Sequence, residues 1–319
     1  MKTDVVIFGC TGQDGSFLYK SLLSKKRTVV GVSRSDKPNT KNLKTLKLAE
    51  NINIIQGDLN NQFDIERIID KYQPTQIYNL SAQSSVGISF EKPSSTFKSI
   101  VYTTQNLLEA SRSTNYQGTI FFAGSSEIYG ETKAPADINS KIDIRSPYAL
   151  AKYQSYLQVK LYRELYNLKA VTGILFNHES QLRNQNFVTQ KIIKGAIKCL
   201  RDKKEKLVLG NLEIVRDWGC AEEYVEGMQQ MTNSSLLKDQ IICTGIPTTL
   251  REFIEIVFEE LNLEWNEYVI IDKKFFRSND ISVSVGDPSQ FEKDTGWKAN
   301  VGLRSIIKKM IESSLQEIN

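Results

Sequence analysis

The chain opens with a short apolar run, a glycine turn and an amphipathic stretch. Val5–Phe8 predicts a buried strand, glycines follow at positions 9, 12 and 15, and residues 16–23 repeat apolar side chains at helical spacing. Glycines at this spacing between a strand and a helix allow a tight turn and a close backbone approach to a ligand, and the helix N-terminus attracts a pyrophosphate. This feature predicts a dinucleotide-binding βαβ unit, which constrains the fold of everything that follows.

Strand-like and helical segments then alternate along the first half of the chain. The predicted strands cover residues 28–33, 52–55, 76–80, 119–123 and 170–176, and the predicted helices cover 65–72, 96–112 and 148–166. This alternation predicts an α/β fold, a Rossmann-type doubly wound parallel sheet. Ligands of such sheets bind at the carboxyl ends of the strands, where Leu80, Ser125, Glu127 and Asn177 fall.

Beyond residue 177 the alternation loosens, which predicts a smaller, interleaved C-terminal lobe that binds the substrate. We expect residues 1–176 to form the dinucleotide-binding domain, with segments around 211–245 returning to it. Residues 177–319 would then form mainly the substrate lobe.

The composition excludes several classes of function. The chain has 41 basic and 37 acidic residues and no basic block interleaved with aromatics, so nucleic-acid binding has no support. Its 4 cysteines are scattered without a CxxC pair and His178 is the single histidine, so we expect neither a disulfide framework nor a metal site. The N-terminus enters the first strand directly and no long apolar run follows, which predicts a cytoplasmic protein without a membrane span.

The second predicted strand ends at Ser33 and is followed by Arg34. Enzymes that use NAD usually carry an acidic residue about here to bind the ribose 2′-hydroxyl, whereas an arginine binds a 2′-phosphate. NADP is therefore favoured, with Asp36 as a competing candidate for an NAD contact and a plain surface role for Arg34 as the further alternative. Asp58 follows the third strand, near the expected adenine; it could also cap the next helix.

Tyr148 and Lys152 stand four residues apart, so on a helix they share one face. A lysine charge beside a phenol favours the phenolate, and we therefore expect the pKa of Tyr148 to be lowered towards neutral, as a general base requires. The YxxxK spacing is common by chance. The pair indicates a catalytic site only together with the neighbouring segment 122–130, which supplies further polar groups at a strand end.

Longer strings carry a resemblance that covers most of the chain. The chain is identified as an extended short-chain dehydrogenase/reductase and resembles the GDP-mannose 4,6-dehydratase family. The matching strings are Thr11-Gly-Gln-Asp-Gly15, Tyr78-Asn-Leu-Ser-Ala-Gln-Ser84, Ser126-Glu-Ile-Tyr-Gly130, Arg145-Ser-Pro-Tyr148, Gly173-Ile-Leu-Phe-Asn-His-Glu-Ser180, Asn186-Phe-Val-Thr189, Gly210-Asn-Leu212 and Arg216-Asp-Trp-Gly219.

The resemblance implies a set of NADP contacts and a set of substrate contacts. The implied cofactor residues are Gly9, Thr11, Gly12, Gln13, Asp14, Arg34, Asp58, Leu59, Leu80, Ala82, Gln83, Ser84, Tyr148, Lys152, His178 and Arg183. The implied positions around the GDP-sugar are Ser85, Ser126, Asn177, Lys191, Arg216 and Arg277. His178 could instead satisfy a buried backbone group, and Arg216 could belong to a structural ion pair.

The implied reaction converts GDP-mannose to GDP-4-dehydro-6-deoxy-mannose by internal hydride transfer and loss of water. Tyr148, Lys152 and Ser125 would act at the sugar C4, and Glu127 would act as base at C5 and acid at C6. Glu127 follows Ser125 by two residues and lies on the same side if the segment stays extended. Ser126 stands where related glucose dehydratases carry an aspartate, so one carboxylate would serve both steps.

The chain departs from the family pattern at several positions. Gln181 and Leu182 replace a proline-arginine pair, and Gln190 replaces an arginine. Cys220 and Ser85 stand where histidines are usual. These changes leave the redox core intact and bear on sugar specificity, base selectivity and oligomer contacts.

Other functions stay open at this point. The substrate could be another GDP-sugar such as a GDP-heptose, and a sugar-nucleotide 4-reductase or epimerase would keep Tyr148 and Lys152 but have no use for Glu127. A catalytically idle, redox-sensing dinucleotide-binding protein is the third possibility. The resemblance implies a homodimer or homotetramer, with predicted helices 96–112 and 148–166 as the candidate contacts.

Overall fold

Every strand predicted from the sequence lies in one parallel sheet. The structure is a computed structural model that describes residues 3–48, 52–276 and 280–316. The strands are β1 (Val5–Phe8), β2 (Val29–Ser33), β3 (Ile54–Gln56), β4 (Gln76–Asn79), β5 (Thr119–Ala123), β6 (Ala170–Leu175), β7 (Asn177–Glu179), β8 (Leu207–Leu209), β9 (Val215–Cys220), β10 (Gln240–Ile242), β11 (Pro247–Thr249), β12 (Val269–Ile271) and β13 (Val283–Ser284).

Helices connect these strands. They are α1 (Gln13–Ser24), α2 (Lys41–Thr45), α3 (Gln62–Tyr72), α4 (Val86–Glu91), α5 (Pro93–Phe97), α6 (Thr103–Ser113), α7 (Pro147–Tyr166), α8 (Val188–Arg201), α9 (Ala221–Asn233), α10 (Leu250–Glu260), α11 (Trp265–Tyr268), α12 (Ser289–Thr295) and α13 (Leu303–Gln316).

The main sheet has the strand order β10-β6-β5-β4-β1-β2-β3, and all of its pairings are parallel. The predicted Rossmann-type doubly wound sheet is confirmed. The chain builds outwards from β1 in both directions, so the loops after β1 and β4 diverge and leave a crevice at the carboxyl edge of the sheet. Phe8 of β1 pairs with Val32 and with Asn79, so the three neighbouring strands end at one level.

Alternating side chains on the strands cover both faces of the sheet. Val5 and Ile7 of β1 pack in the apolar cluster formed with α1 and α9. Val6 and Phe8 pack in the cluster formed with α3, α6 and α7. Full burial of each such side chain contributes roughly 1.5–3 kcal/mol of stability, which explains why the central strands are apolar on both sides.

The C-terminal half alternates between the main sheet and a second lobe. Strands β7, β9, β11 and β13 form a small sheet, β8 pairs with β12, and α8, α10 and α13 share a separate apolar cluster with them. Between these elements α9 packs against α1, and β10 extends the main sheet beside β6. The division into domains at residue 177 stays a prediction.

The helix predicted over residues 96–112 is not one regular helix. A π-helical turn, Lys98–Tyr102, separates α5 from α6. The Ile100 carbonyl accepts hydrogen bonds from Thr104 Oγ1 at 2.7 Å and from Ser155 Oγ of α7 at 3.2 Å. These hydroxyls compete with the backbone donors, which is a physical reason for the widened turn.

The residues that the structure describes contain neither a membrane-spanning helix nor a metal-binding cluster. No helix in residues 3–48, 52–276 and 280–316 is long and apolar enough to cross a membrane. The same ranges contain no group of three or more His, Cys, Asp or Glu side chains placed to hold a metal ion.

Asp217 ties the lobe to the edge of the main sheet. Its carboxylate is fully buried and accepts hydrogen bonds from Thr244 N at 2.9 Å, Thr244 Oγ1 at 2.7 Å and Gly245 N at 2.8 Å. Burial raises the pKa of Asp217, although these hydrogen bonds favour the charged form. The contact holds β9 against the loop after β10 and so positions the two neighbours of Asp217 in β9.

We predict that Asp217→Ala lowers the free energy of unfolding by about 3 kcal/mol, because three partly buried donors lose their buried acceptor. Thr244→Val removes one of these donors and is the matched control, with an expected loss of about 1 kcal/mol. Urea denaturation followed by circular dichroism measures both. Equal losses in the two variants would show that Asp217 is not the anchor.

Candidate active site

A cavity of about 440 Å³ opens at the carboxyl edge of the main sheet and continues under the lobe. The ends of β4, β5 and β6 and the N-terminus of α1 form one side, and Asn211, Trp218 and Phe275 of the lobe contribute to the other. Ser125, Glu127, Tyr148 and Lys152, the four residues predicted to be catalytic, all line it.

The glycine turn shapes the phosphate end of this cavity. Gly9 has φ +83°, and a Cβ there would lie 2.7 Å from the backbone of Leu80. A Cβ at Gly15 would lie 2.2 Å from the Gly9 carbonyl oxygen. Gly12 is the N-cap of α1 and supplies no capping side chain, so the first amides of this helix, from Gln13 onwards, face the cavity. Open amides at a helix N-terminus fit a diphosphate.

Not every residue of the predicted cofactor set lines the cavity. Gly12, Gln13, Asp14, Leu80, Ala82, Gln83, Ser84, Tyr148, Lys152, His178 and Arg183 do. Gly9 and Thr11 support the turn from behind; the Thr11 carbonyl accepts a hydrogen bond from Asn42 Nδ2 at 3.0 Å.

The predicted adenine end lies outside the cavity. Leu59 is buried in the core beneath the sheet, so its side chain is not available as a contact. Asp58 accepts hydrogen bonds from the Asn60 backbone and side chain at 2.9 Å, and the next helix is capped by Asn61, not Asp58. Arg34 is exposed after β2, and none of the residues that the structure describes forms a bond to its guanidinium.

Ser125 and Glu127 reach the cavity through a turn. Ser125 has extended backbone and caps a 3₁₀ turn, Ser126–Tyr129, in which its hydroxyl accepts a hydrogen bond from Glu127 N at 3.3 Å. The segment does not stay extended beyond Ser125, so the condition on which the sequence placed the two residues on one side does not hold. The two side chains still share the cavity because the tight turn folds Glu127 back beside its cap.

Tyr148 and Lys152 lie in the first turns of α7 and face the cavity. Ser146 caps this helix, its hydroxyl accepting from Ala149 N at 3.0 Å, and Pro147 occupies the first turn. Lys152 Nζ donates to the Ala123 carbonyl at 2.7 Å and lies 5.7 Å from the centre of the Tyr148 ring. The lysine is therefore held against the end of β5.

The predicted pKa shift of Tyr148 was wrong for the protein alone. Burial raises the pKa of Tyr148 to about 12, a hydrogen bond from Ser125 lowers it, and the Glu127 charge raises it further. Burial also lowers the pKa of Lys152 to about 8, with the Asp14 charge acting in the opposite direction. The sequence spacing predicted that Lys152 lies near Tyr148 but could not show how deeply the two side chains are buried. Burial is the largest influence on the pKa of both groups.

The phosphate loop is tethered to β7 by side chains. Gln13 Nε2 donates to the His178 carbonyl at 3.2 Å, and Ser180 Oγ donates to Gln13 Oε1 at 2.8 Å. His178 Nε2 lies 3.1 Å from Asp14 Oδ2, and His178 Nδ1 lies 2.7 Å from the Phe176 carbonyl. The loop and the start of the lobe are thus one hydrogen-bonded unit.

Arg183 is clamped at the wall of the cavity. Its Nε lies 3.3 Å from Glu179 Oε2, and its guanidinium stacks 3.7 Å from the centre of the Phe187 ring. Glu179 is itself buried and accepts a hydrogen bond from Thr189 Oγ1 at 2.7 Å. The clamp fixes a positive charge in the cavity near Tyr148 and Asp14.

The predicted substrate residues are only partly brought together. Ser85, Ser126, Asn177 and Arg216 line the cavity. Lys191 does not; its Nζ donates to the Val208 carbonyl at 2.8 Å and lies 5.0 Å from the Phe275 ring at the rim. Arg277 lies outside the described residues.

Sequence reasoning missed the carboxylates that hold the arginines. Asp280 lines the cavity and lies 3.7 Å from Arg216, and Glu179 holds Arg183. Glu179 stood inside a quoted string, so a search for acidic partners of Arg183 at helical spacing would have found it. Asp280 had no comparable signal, because its partner is distant in the chain.

Three of the five departures from the family pattern, at Leu182, Gln190 and Cys220, are buried, whereas Gln181 and Ser85 are partly exposed. Leu182 packs in the core with α1 and α9, and Cys220 packs in the core of the lobe. Gln190 is buried and donates from Nε2 to the Ser180 carbonyl at 3.4 Å, while its Oε1 has no hydrogen-bond partner among the described residues.

Comparisons with known proteins identify the family of the chain. The family model described as GDP-mannose 4,6 dehydratase matches residues 6–310. GDP-mannose 4,6 dehydratase 1 of Arabidopsis thaliana is 37% identical over 98% of this chain and 89% of its own length. GDP-mannose 4,6-dehydratase of Sinorhizobium fredii (strain HH103) is 35% identical over 97% of this chain and 96% of its own length.

Solved structures share the fold at lower identity. UDP-glucose 4-epimerase of Thermotoga maritima with UDP-glucose superposes with a TM-score of 0.87, at 21% identity, over 99% of this chain and 100% of that one. A dTDP-glucose 4,6-dehydratase of Streptomyces venezuelae with NAD has a TM-score of 0.87, at 18% identity, over 98% of this chain and 97% of that one. The family model and the relatives together show that this chain belongs to the GDP-mannose 4,6-dehydratase family.

Proposed function

We propose that the chain converts GDP-mannose to GDP-4-dehydro-6-deoxy-mannose with loss of water, as a hydro-lyase that uses NADP. The observation that carries the proposal is the convergence of Ser125, Glu127, Tyr148 and Lys152 on one cavity, beside the open N-terminus of α1. Family membership over nearly the whole chain supports the substrate class.

The cofactor supplies a hydride acceptor and later returns the hydride, so the reaction has no net oxidation. The chain's own residues move the protons. Ser125 hydrogen-bonds the Tyr148 oxygen and favours its charged form. Tyr148 would take the proton of the sugar 4-hydroxyl as the C4 ketone forms, and this step requires its pKa to fall from about 12 once the positively charged, oxidised cofactor is bound. Lys152, buried and held by the Ala123 carbonyl, provides the positive charge that stabilises the phenolate.

Glu127 carries the second half of the reaction. The 4-ketone acidifies the hydrogen at C5, and Glu127 removes that proton. The same carboxylic acid then donates the proton to the 6-hydroxyl, which leaves as water. Once the hydride is back at C6, C5 takes up a proton from solvent, which balances the 4-hydroxyl proton that Tyr148 accepted and releases to solvent. Ser126, beside Glu127 and buried, cannot act as an acid, so the described turn offers a single carboxylate for both steps.

We expect incubation with GDP-mannose and no added NADPH to give a sugar nucleotide lighter by one water, without net change in cofactor absorbance. Glu127→Gln should lower kcat by about 1,000-fold, since it removes the acid and base. Ser126→Ala is the matched control and should keep activity within about threefold if Ser126 takes no part in proton transfer. Mass spectrometry of the product measures all three.

A different result would identify a different function. Unchanged GDP-mannose, together with reduction of a GDP-4-keto-sugar by NADPH, would replace this proposal with a sugar-nucleotide reductase. Full activity in Glu127→Gln would remove the carboxylate from the mechanism.

The choice of NADP over NAD is supported by Arg34. Its exposed guanidinium follows β2 and is available for a 2′-phosphate. We expect Arg34→Ala to weaken NADP⁺ binding by about tenfold and to leave NAD⁺ binding unchanged, because only NADP⁺ carries the phosphate. Isothermal titration calorimetry measures both dissociation constants. Asp36→Asn is the matched variant; selective loss of NAD⁺ binding in it, with Arg34→Ala silent, would favour NAD.

A homo-oligomer, dimer or tetramer, is supported by the outer face of α7. Leu157, Leu161 and Leu165 follow each other at helical spacing and are 44%, 49% and 62% exposed. Apolar rows of this kind mark protein contacts. α7 packs beside α6. These helices overlap residues 148–166 and 96–112, the two segments predicted from the sequence as candidate contacts.

We predict that Leu161→Lys dissociates the oligomer towards the 36.3 kDa monomer, because it places a charge in the apolar row. Light scattering after size exclusion gives the mass. Leu236→Lys, a change at a comparably exposed leucine outside α7, is the control and should leave the mass unchanged. A monomeric wild-type chain would refute the interface.

A further inference from the structure

We propose that the imidazolium of His178 acts as a positioning group that neutralises Asp14, and so allows an anionic dinucleotide to bind beside the N-terminus of α1. The inference rests on the proposed use of a dinucleotide and concerns how this chain's residues make it possible. It assigns His178 a role through Asp14.

The geometry around His178 requires a charged ring. Nδ1 lies 2.7 Å from the Phe176 carbonyl, which can only accept a hydrogen bond. Nε2 lies 3.1 Å from the Asp14 carboxylate, which is also an acceptor when ionised. Both ring nitrogens therefore face acceptors, and only the doubly protonated imidazolium donates to both.

The His178–Asp14 ion pair is largely buried, so solvent screens its two charges little. The His178 side chain is 10% exposed and that of Asp14 22% exposed. Burial by itself lowers the pKa of His178, but the Asp14 charge and hydrogen bond outweigh it, so the pKa is raised above its usual 6.5. Burial favours the neutral form of Asp14, yet His178 holds the pKa of Asp14 below its usual value.

Asp14 occupies a position that would otherwise disfavour an anion. It lies in the first turn of α1 and lines the cavity, next to the amides that fit a diphosphate. An uncompensated carboxylate there would repel a pyrophosphate at short range in a largely buried site, where solvent screens charges little. A protonated His178 removes this repulsion while leaving the helix amides free.

Other ionisable groups surround the pair. On the loop after β7, Arg183 opposes the His178 proton and favours the Asp14 charge, and Glu179 is already paired with Arg183. On α7, Lys152 and Tyr148 both respond to the Asp14 charge. On α9, the Tyr224 ring lies 4.7 Å from the imidazole, and burial raises its pKa well above the usual value, so it stays neutral.

The sign of the pH dependence follows from the raised pKa. Below it His178 is charged, Asp14 is neutralised and the dinucleotide binds. As the pH rises through it, His178 loses its proton, Asp14 keeps only the neutral hydrogen bond from Gln13 Nε2 at 3.1 Å and the more distant Arg183 charge, and binding weakens. Lys152, with a pKa of about 8, loses charge in the same direction, so a pH profile of the wild type alone does not separate the two.

A double-substitution cycle, measured at a single pH, separates the contribution of His178 from that of Lys152. The dissociation constant of NADP⁺ is measured by calorimetry at about pH 6, below the ordinary pKa of an imidazole, so that His178 with its raised pKa keeps its proton. The proteins are wild type, Asp14→Asn, His178→Gln and the double variant, each freed of bound nucleotide. His178→Gln keeps a donor for Asp14 but no charge, and should weaken binding by about tenfold or more. Asp14→Asn and the double variant should stay within about threefold of wild type, since neither leaves an unpaired carboxylate.

Rescue by the second substitution is the decisive result. A purely structural role for His178 predicts that the double variant binds NADP⁺ as weakly as His178→Gln does, and that outcome would overturn the inference. Wild-type affinity in His178→Gln would overturn it as well. Thermal melting of each variant separates misfolding from weak binding, and Asp14→Asn alone remains informative if His178→Gln does not fold. Absence of NADP⁺ and NAD⁺ binding by the wild type would refute the proposed cofactor itself, which is a different failure.

The pH dependence of NADP⁺ binding provides a second test of the role of His178. Between about pH 6 and about pH 9 the affinity of the wild type should fall more steeply than that of the double variant, because Lys152 titrates in both and His178 in only one. Parallel profiles would overturn the proposal.

Discussion

All strands of the main sheet run in the same direction, and this constraint organises the rest of the molecule. A parallel strand cannot be reached by a tight turn, so the chain must return across a face of the sheet after each strand. The strand ends then collect at one edge, and their loops provide the polar groups. Leu80, Ala123 and Phe176, which are far apart in the sequence, line one cavity for this reason.

The cavity brings several charged side chains together. Asp14 is paired with His178, Arg183 with Glu179, and Arg216 with Asp280, so these three pairs are formed before any ligand arrives. Such pairing is what makes buried charges tolerable. Lys152 differs from these groups, since the Ala123 carbonyl holds it instead of a carboxylate. Burial lowers its pKa to about 8.

The departures from the family pattern concentrate next to this charged wall. Leu182 replaces an arginine and is buried among apolar side chains, so it removes a charge and adds to the core. Gln190 replaces another arginine and bonds to the Ser180 carbonyl, near the tether of the phosphate loop. Neither Leu182 nor Gln190 lines the cavity, so these two departures lie behind its wall and leave Tyr148, Lys152 and Glu127 in place.

The sequence by itself determined the order and type of the main elements, the glycine turn and the residues that converge on the cavity, because periodicity, glycine spacing and strand ends are local properties. It did not determine the widened turn at Ile100 or the 3₁₀ turn that carries Glu127, since these depend on side-chain contacts of the folded chain. Only the tertiary structure decided that His178 pairs with Asp14, 164 residues away, and that the pKa of Tyr148 rises instead of falling. Burial is a property of everything packed around a group, and no local pattern encodes it.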